Sequence, residues 1–249
     1  MEIPMKKMLL TSAAVLAFGC NVQAADLGVA RGPAAAIVAP AFNWTGFYFG
    51  GYIGGASRQA RFTDIDGYNA VGSWNANRTS FLGGVTLGYN WQFTPNVLVG
   101  IEGELGYLGG ARRADPFSPG LDTEGRIADS LYGLITARVG LTADRALFYV
   151  KGGLALGGGS ASVVDSCVIG ACGGGTYSAS SSSNVGWTIG GGVEYAVSGN
   201  WTVKGEYNYI RFNNRTMTDG AFRFGVSNND AHLFKVGLNY LFASGGGRY

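Results

Sequence analysis

Few residues in this chain could do chemistry, and their types narrow what that chemistry is. Its one histidine, His232, follows Asp230 at a two-residue spacing, the beginning of a general acid/base pair. The nucleophile that would complete such a set is missing, because the position two after His232 is Phe234 and not serine. A lone histidine also removes His-cluster metal sites, so the sequence predicts no catalytic residues, no metal and no cofactor. The glycine runs at 153–159, 173–175 and 190–192 lack the G-x-x-x-x-G-K-[ST] pattern that cradles phosphate, and they read as close-packed strand positions and loop. What remains is a set of eight charges in apolar, glycine-rich surroundings: Glu102, Glu104, Arg138, Lys151, Glu194, Lys204, Glu206 and Lys235. Four acids and four bases can do one thing together, which is to neutralise one another.

Those charges need elements to position them, and composition limits which. With 43 glycines in 249 residues but only 6 prolines and no G-X-Y period, the chain is neither collagen nor ordinary linker. An apolar share of 47% excludes disorder. A net charge of +2, from 18 basic and 16 acidic residues, leaves no electrostatic footprint for nucleic acid. No stretch offers 18 uninterrupted apolar residues, so a membrane crossing would have to be made by strands.

The N-terminus is a targeting segment. Lys6 and Lys7 precede the apolar run Met8 to Phe18, and Val22-Gln23-Ala24 is a signal-peptidase site, so residues 1–24 read as a cleaved signal peptide. Cys20 raises the alternative of a lipoprotein, but Phe18 stands where a small residue is expected. Residues 25–43 are an Ala/Pro-rich linker. In an exported chain Cys167 and Cys172, with four residues between them in SCVIGAC, read as one disulfide.

From Trp44 the character changes to period-two alternation, which puts one set of side chains on each face of a strand. Eight segments show it: Gly46–Arg58, Ser80–Phe93, Val97–Tyr107, Ser130–Leu141, Ala146–Gly157, Asn184–Val197, Trp201–Phe212 and Ala231–Phe242. Thr94-Pro95-Asn96, Thr142–Arg145 and Ser198-Gly199-Asn200 are tight turns, whereas about 59–79, 108–129, 158–183 and 213–230 are long polar loops. Short turns on one side and long loops on the other are the asymmetry of an outer-membrane barrel. The expected fold is all-β: an eight-stranded antiparallel up-and-down transmembrane β-barrel over 44–242, with short periplasmic turns, long extracellular loops and a tail at 243–249.

One face of these strands carries Phe47, Ile53, Val99, Ile101, Ile135, Val150, Ile189 and Val236 among others, and is predicted to meet lipid. Trp91, Phe93, Tyr107, Trp201, Tyr207, Tyr209, Tyr240 and Phe242 cluster near strand ends as two aromatic girdles. The eight charges all fall on the opposite face, about four to seven residues from the nearest turn or strand end, so they form one belt. Inside eight strands there is room for little beyond side chains, and a neutral belt would close the lumen. The competing reading, scattered surface charges on a soluble β-sandwich, needs the parity, signal peptide, girdles and loop asymmetry all to be coincidence.

The blocks NWTGFYFGGYIGG (43–55), GGVTLGYNWQF (83–93), ARVGLTADRALFYVKGGLA (137–155), GWTIGGGVEYAVSGNWTVKGEYNY (186–209) and HLFKVGLNYLF (232–242) resemble the outer-membrane immunogenic proteins of alpha-proteobacteria, small porin-family barrels with an OmpA-like transmembrane fold. The resemblance implies an integral outer-membrane protein contributing to envelope integrity and surface antigenicity. Some relatives bind haem or host surfaces, but no residue motif for either is visible here. Such barrels end in an aromatic read by the outer-membrane assembly machinery. Phe242, with Tyr240, is the expected signal within a tailed strand; the alternative is Tyr249 at the end of the Ala-Ser-Gly-Gly-Gly-Arg-Tyr that follows, although residues 243–247 are poor strand formers.

Basic residues segregate by type. After residue 24 the lysines are Lys151, Lys204 and Lys235, all assigned inside, while loops and adjacent strand ends carry arginine: Arg58, Arg61, Arg78, Arg112, Arg113, Arg126, Arg211, Arg215 and Arg223. Arginine grips phosphate bidentately, so Arg112, Arg113, Arg211 and Arg215 are candidate lipopolysaccharide contacts. The alternative is that the loop arginines pair with Asp64, Asp66, Asp115, Asp122 and Asp129. The expected partners are outer-membrane lipid and lipopolysaccharide and the assembly machinery, with a monomer favoured. A narrow porin-like channel, or haem or host-ligand binding through the loops, is the alternative function.

Overall fold

The computed structural model describes residues 42–66, 72–109, 111–114, 123–157, 160–165, 177–181, 184–219 and 222–242. The signal peptide, most of the linker, the Cys167/Cys172 pair and the C-terminal tail lie outside the described residues. Thirteen strands follow in order: β1 (Gly46–Asp64), β2 (Ser73–Thr94), β3 (Val97–Leu108), β4 (Ala111–Ala114), β5 (Thr123–Ile127), β6 (Ser130–Ala143), β7 (Ala146–Gly157), β8 (Ala161–Asp165), β9 (Tyr177–Ser181), β10 (Asn184–Ser198), β11 (Trp201–Phe212), β12 (Arg215–Asp219) and β13 (Phe222–Leu241). Eight of them form a closed antiparallel ring in the order β1-β2-β3-β6-β7-β10-β11-β13, with β13 pairing back onto β1 from Tyr48↔Leu241 to Asp64↔Phe224. Closure leaves this ring no unpaired edge.

Three two-residue turns set the register at one end, between Thr94↔Val97, Ala143↔Ala146 and Ser198↔Trp201. Positive φ at Asp144 and Gly199 lets the chain reverse there. The first and last strands meet at this same end, where the Phe242 amide donates to the Phe47 carbonyl at 2.8 Å.

The outer face is an apolar band that includes Phe81, 91% exposed, and Ile53, 73% exposed. The inner face admits large side chains because glycines stand opposite them. A Cβ at Gly88 would land on the Tyr48 hydroxyl, and one at Gly84 or Gly106 on that of Tyr52.

The structure departs from the expected loops at the end away from the turns. Residues 59–64, 73–79 and 222–230 continue β1, β2 and β13, and β4, β5, β8, β9 and β12 lie within segments expected to be loop. Together they build a second storey in which β12-β13-β1-β2 is one arc and the sheet β4-β5-β8-β9 the other, with β4 beside β2 and β9 beside β12. The pattern inverts between storeys. In β1 the apolar residues point outward through Phe47, Phe49 and Ile53, then inward through Ala56, Ala60 and Phe62. The lower ring has an apolar outside, and the upper one an apolar inside of Phe62, Trp74, Ile127, Val163, Met217 and Phe224. That inversion is the boundary between a wall that meets lipid and one that meets water. A β-bulge between Gln59 and Arg61, with positive φ at Asn228 on β13, re-registers the two strands at the junction.

Candidate functional site: the charged belt in the barrel lumen

All eight residues of the belt point inward and are buried with no side-chain exposure. Glu102 and Glu104 come from β3, Arg138 from β6, Lys151 from β7, Glu194 from β10, Lys204 and Glu206 from β11, and Lys235 from β13. Strand periodicity makes this possible, since residues two apart share a face and six of the eight ring strands each deliver one or two charges to the same height.

Lys151 is the hub. Its Nζ lies 2.6 Å from Glu102 and 2.7 Å from Glu206, and it also contacts Glu104. Lys235 bridges Glu104 and Glu206, each at 2.6 Å, and Lys204 reaches Glu102 at 3.2 Å and Glu206 at 3.7 Å. Glu102, Glu104 and Glu206 converge closely enough to grip a metal cation, but Lys151 contacts all three carboxylates. Arg138 serves the other half of the belt, its Nη1 3.6 Å from Glu102 and 3.5 Å from Glu194. Its Nε donates to Asn90 at 2.8 Å, and its guanidinium lies over the Tyr48 ring at 4.5 Å and the Tyr149 ring at 5.1 Å.

Uncharged groups complete the network, and these were not singled out from sequence. Tyr48 donates to Glu102 and Tyr149 to Glu206, both at 2.7 Å; Asn239 donates to Glu194 at 2.8 Å, and Thr202 donates to the same carboxylate. Tyr52 and Tyr132 meet hydroxyl to hydroxyl at 2.9 Å, with Lys235 over the Tyr52 ring. Inward parity is the signal that could have found Tyr48, Tyr52 and Asn239.

The belt is one layer of several. Toward the turns it rests on Trp44, Leu98, Leu147 and Leu241. On the other side Leu82, Leu108, Leu134, Phe212 and Leu233 cover it, and the second storey's core lies beyond them.

The remaining sequence-predicted residues are dispersed. Arg211 is on the outer face of β11, 3.7 Å from Asp230, and donates to Asn228 at 3.1 Å. Below it His232 Nδ1 shares a 2.8 Å hydrogen bond with the Tyr207 hydroxyl, and its ring lies 5.2 Å from that of Tyr209. Arg215 is half-buried on the face of β12 that carries buried Met217. Arg112 and Arg113 stand on β4, with their side chains outside the described residues. Arg223 pairs with Asp66 at 2.7 Å, and that bond holds the Asp66 carboxyl below its usual range. Arg58, grouped from sequence with the loop arginines, is instead buried inside the barrel. Tyr240 and Phe242 form an edge-to-face pair at 5.2 Å in the turn-side girdle, and Tyr240 packs likewise on Trp201 at 5.0 Å.

A closed ring of eight strands, an apolar outer band with aromatic girdles and a neutral buried belt define a small membrane-spanning β-barrel. The outer membrane protein beta-barrel domain family matches residues 12–242, and the chain belongs to that family. It is 34% identical over 246 residues to the 31 kDa outer-membrane immunogenic protein of Brucella melitensis, covering 96% of this chain and 100% of that one. It is 31% identical over 200 residues to the 22 kDa outer membrane protein of Rhizobium leguminosarum, covering 79% and 78%. Among solved structures, the outer membrane protein OprG of Pseudomonas aeruginosa matches with a TM-score of 0.50 at 12% identity, covering 80% of this chain and 98% of that one, a likeness of fold. The protein is an integral outer-membrane β-barrel located in the bacterial outer membrane.

Proposed function

We propose that this protein is a sealed structural barrel that anchors in the outer membrane and presents its second storey and loops at the cell surface, with no solute path through its centre and no catalytic role. The observation that carries this reading is the filled lumen: apolar layers lie on both sides of a belt whose charges are paired with one another. An ion entering it would have to break contacts of 2.6–2.7 Å among fully buried groups. Description of the Brucella melitensis relative as immunogenic supports the surface role. The test is single-channel conductance of the refolded protein in a planar bilayer. No discrete openings are expected; steady openings would overturn the reading and give the channel the lead.

Lipopolysaccharide contact is a second part of the proposal, supported by Arg211, which is exposed on the outer face directly above Tyr207, Tyr209 and His232. Guanidinium above an aromatic girdle stands at headgroup height, where lipid phosphates are its natural partners. Arg112 and Arg113 are carried in the same role. Neutralising Arg112, Arg113 and Arg211 together is expected to lower lipopolysaccharide co-purification, and unchanged co-purification would remove this part.

A further inference from the structure

Part of the lipid-facing band is hollow. At one height the ladders place Tyr89, Ile101, Ala137, Gly152 and Ile189 side by side on the outer face of β2, β3, β6, β7 and β10. A methyl group and a hydrogen therefore stand between two isoleucines, and the wall sinks there into a groove of about 880 Å³. The next row toward the turns, Trp91, Val99, Val139 and Val150, continues it. Tyr89 is held as one side wall by an edge-to-face contact with Phe47 at 4.8 Å. The outward glycines Gly103 and Gly205, by contrast, stand singly, between Leu87 and Ile135 and between Val193 and Val236.

Packing of the wall does not require this hollow. A Cβ at inward-facing Gly153 would strike the Ile135 carbonyl, whereas one at Gly152 would meet the Thr188 carbonyl oxygen at 3.4 Å, an ordinary contact, and its backbone is outside the left-handed region. The groove also has a charge beneath it. Arg145, in the β6–β7 turn, is exposed, and among the described residues it is paired with no acid, its turn neighbour Asp144 included. Gly152 lies seven residues up the chain from Arg145. That is roughly 23 Å along β7, or about 18 Å along the membrane normal at a strand tilt of about 40°. Half the hydrocarbon thickness is about 15 Å, so a headgroup beside Arg145 puts its chains in the groove.

We propose that this groove binds one phospholipid of the periplasmic leaflet, its acyl chains against Ala137 and Gly152 and its anionic headgroup at Arg145. Two observations commit it to a lipid: it is continuous with the apolar band that meets the bilayer, and the unpaired charge beneath it is a cation, which a phosphate satisfies. The turns of an outer-membrane barrel face the periplasm, and the leaflet on that side is phospholipid, so the occupant is not the lipopolysaccharide proposed for Arg211 at the opposite end. Arg145 favours a headgroup of net negative charge, phosphatidylglycerol over phosphatidylcholine. The site is independent of the sealed lumen and of Arg211, so each can fail without the others.

The experiment is native mass spectrometry of the protein refolded into detergent and titrated with phosphatidylglycerol or with phosphatidylcholine of the same chains. Wild type is expected to retain about one phosphatidylglycerol and to hold phosphatidylcholine about fivefold more weakly. Filling the groove with Ala137→Leu and Gly152→Leu together is expected to weaken both lipids at least about tenfold, whereas Gly205→Leu, on open wall elsewhere in the band, leaves them unchanged. Arg145→Gln is expected to abolish the preference between the headgroups while leaving phosphatidylcholine where it was. Where the filled variant does not fold, as judged by heat-modifiable migration, Arg145→Gln decides, since it changes only an exposed turn. Folded wild type that retains no phospholipid or shows no preference, a filled variant that binds as tightly, or an Arg145→Gln that keeps the preference overturns the proposal. A wild-type dimer that the filled variant splits gives the groove to a second copy of the chain and overturns it too.

Discussion

Replacing Lys151 by methionine removes the one cation that touches three carboxylates while keeping most of its volume. At an effective dielectric constant of about 20, a contact like the 2.7 Å one to Glu206 carries about 6 kcal/mol of Coulomb attraction. Most of it is offset by the desolvation of both groups, so these gross figures do not add. The net cost follows from what is left behind: Glu102, Glu104 and Glu206 keep only Arg138, Lys204 and Lys235, and one negative charge among fully buried side chains goes unmatched. Removing one member of a buried ion-paired set costs about 3–5 kcal/mol, and Lys151→Met is expected to fall there. Adding Glu104→Gln restores neutrality and is expected to recover half the loss or more, because Lys235 keeps Glu206. The assay is urea unfolding of the refolded protein, followed by fluorescence of its 5 tryptophans and by heat-modifiable migration. A single-variant loss under about 1 kcal/mol, or a double variant no better than the single, would refute the reasoning that charge balance holds the belt together.

Two further perturbations test other layers. Gly106→Ala pushes a methyl into the Tyr52 hydroxyl and the Tyr132 ring, so it is expected to cost about 1–3 kcal/mol of stability by the same unfolding assay, whereas Gly205→Ala, with open space at its Cβ, is expected to cost less. The Asp66–Arg223 clamp gives a pH signature: because Arg223 depresses the Asp66 carboxyl, its contribution is fully present above the unfolded carboxyl value of about 3.9 and lost as pH falls through the lower folded one. Amide exchange at Ile65 and Arg223, whose backbones are bonded at 3.0 Å, is expected to stay protected at pH 5 and to lose protection only below about pH 3.9; loss already at pH 5 would show that the pair does not hold this end.

Parity was the legible part. Each of the eight ring strands lies at a segment marked by alternation, and its charged positions follow because a strand has only two faces. The second storey was hidden by the same rule. Its strands carry polar residues outward, as at Gln59, Arg61 and Thr63, and apolar ones inward, so a reading tuned to an apolar outside takes them for loop. Arg58 was misplaced for a related reason: it sits where the pattern inverts, and an arginine at a strand end looks solvent-facing until β1 is seen to continue to Asp64. The tyrosine and threonine partners of the belt share its inward parity, but which carboxylate each meets depends on barrel closure, which no local pattern encodes.

A belt of charges is a strange way to fill a lumen, since well-packed apolar side chains of equal volume would often be at least as stable. Its contacts suggest what the charges add. Lys235 on β13 meets Glu104 on β3, and Lys204 on β11 meets Glu102 on β3, although neither pair of strands is adjacent in the ring. Such contacts exist only when the ring is closed. Apolar residues tolerate either face of a strand in a membrane, because lipid accepts them as readily as a core does. Charges do not: slipping β3 by one residue would turn Glu102 and Glu104 into lipid and leave Lys151, Lys204 and Lys235 with Glu206 alone. The apolar layers on either side resist leakage without specifying register, and the neutral belt specifies register, so the two kinds of filling divide the work of making one barrel from eight similar strands.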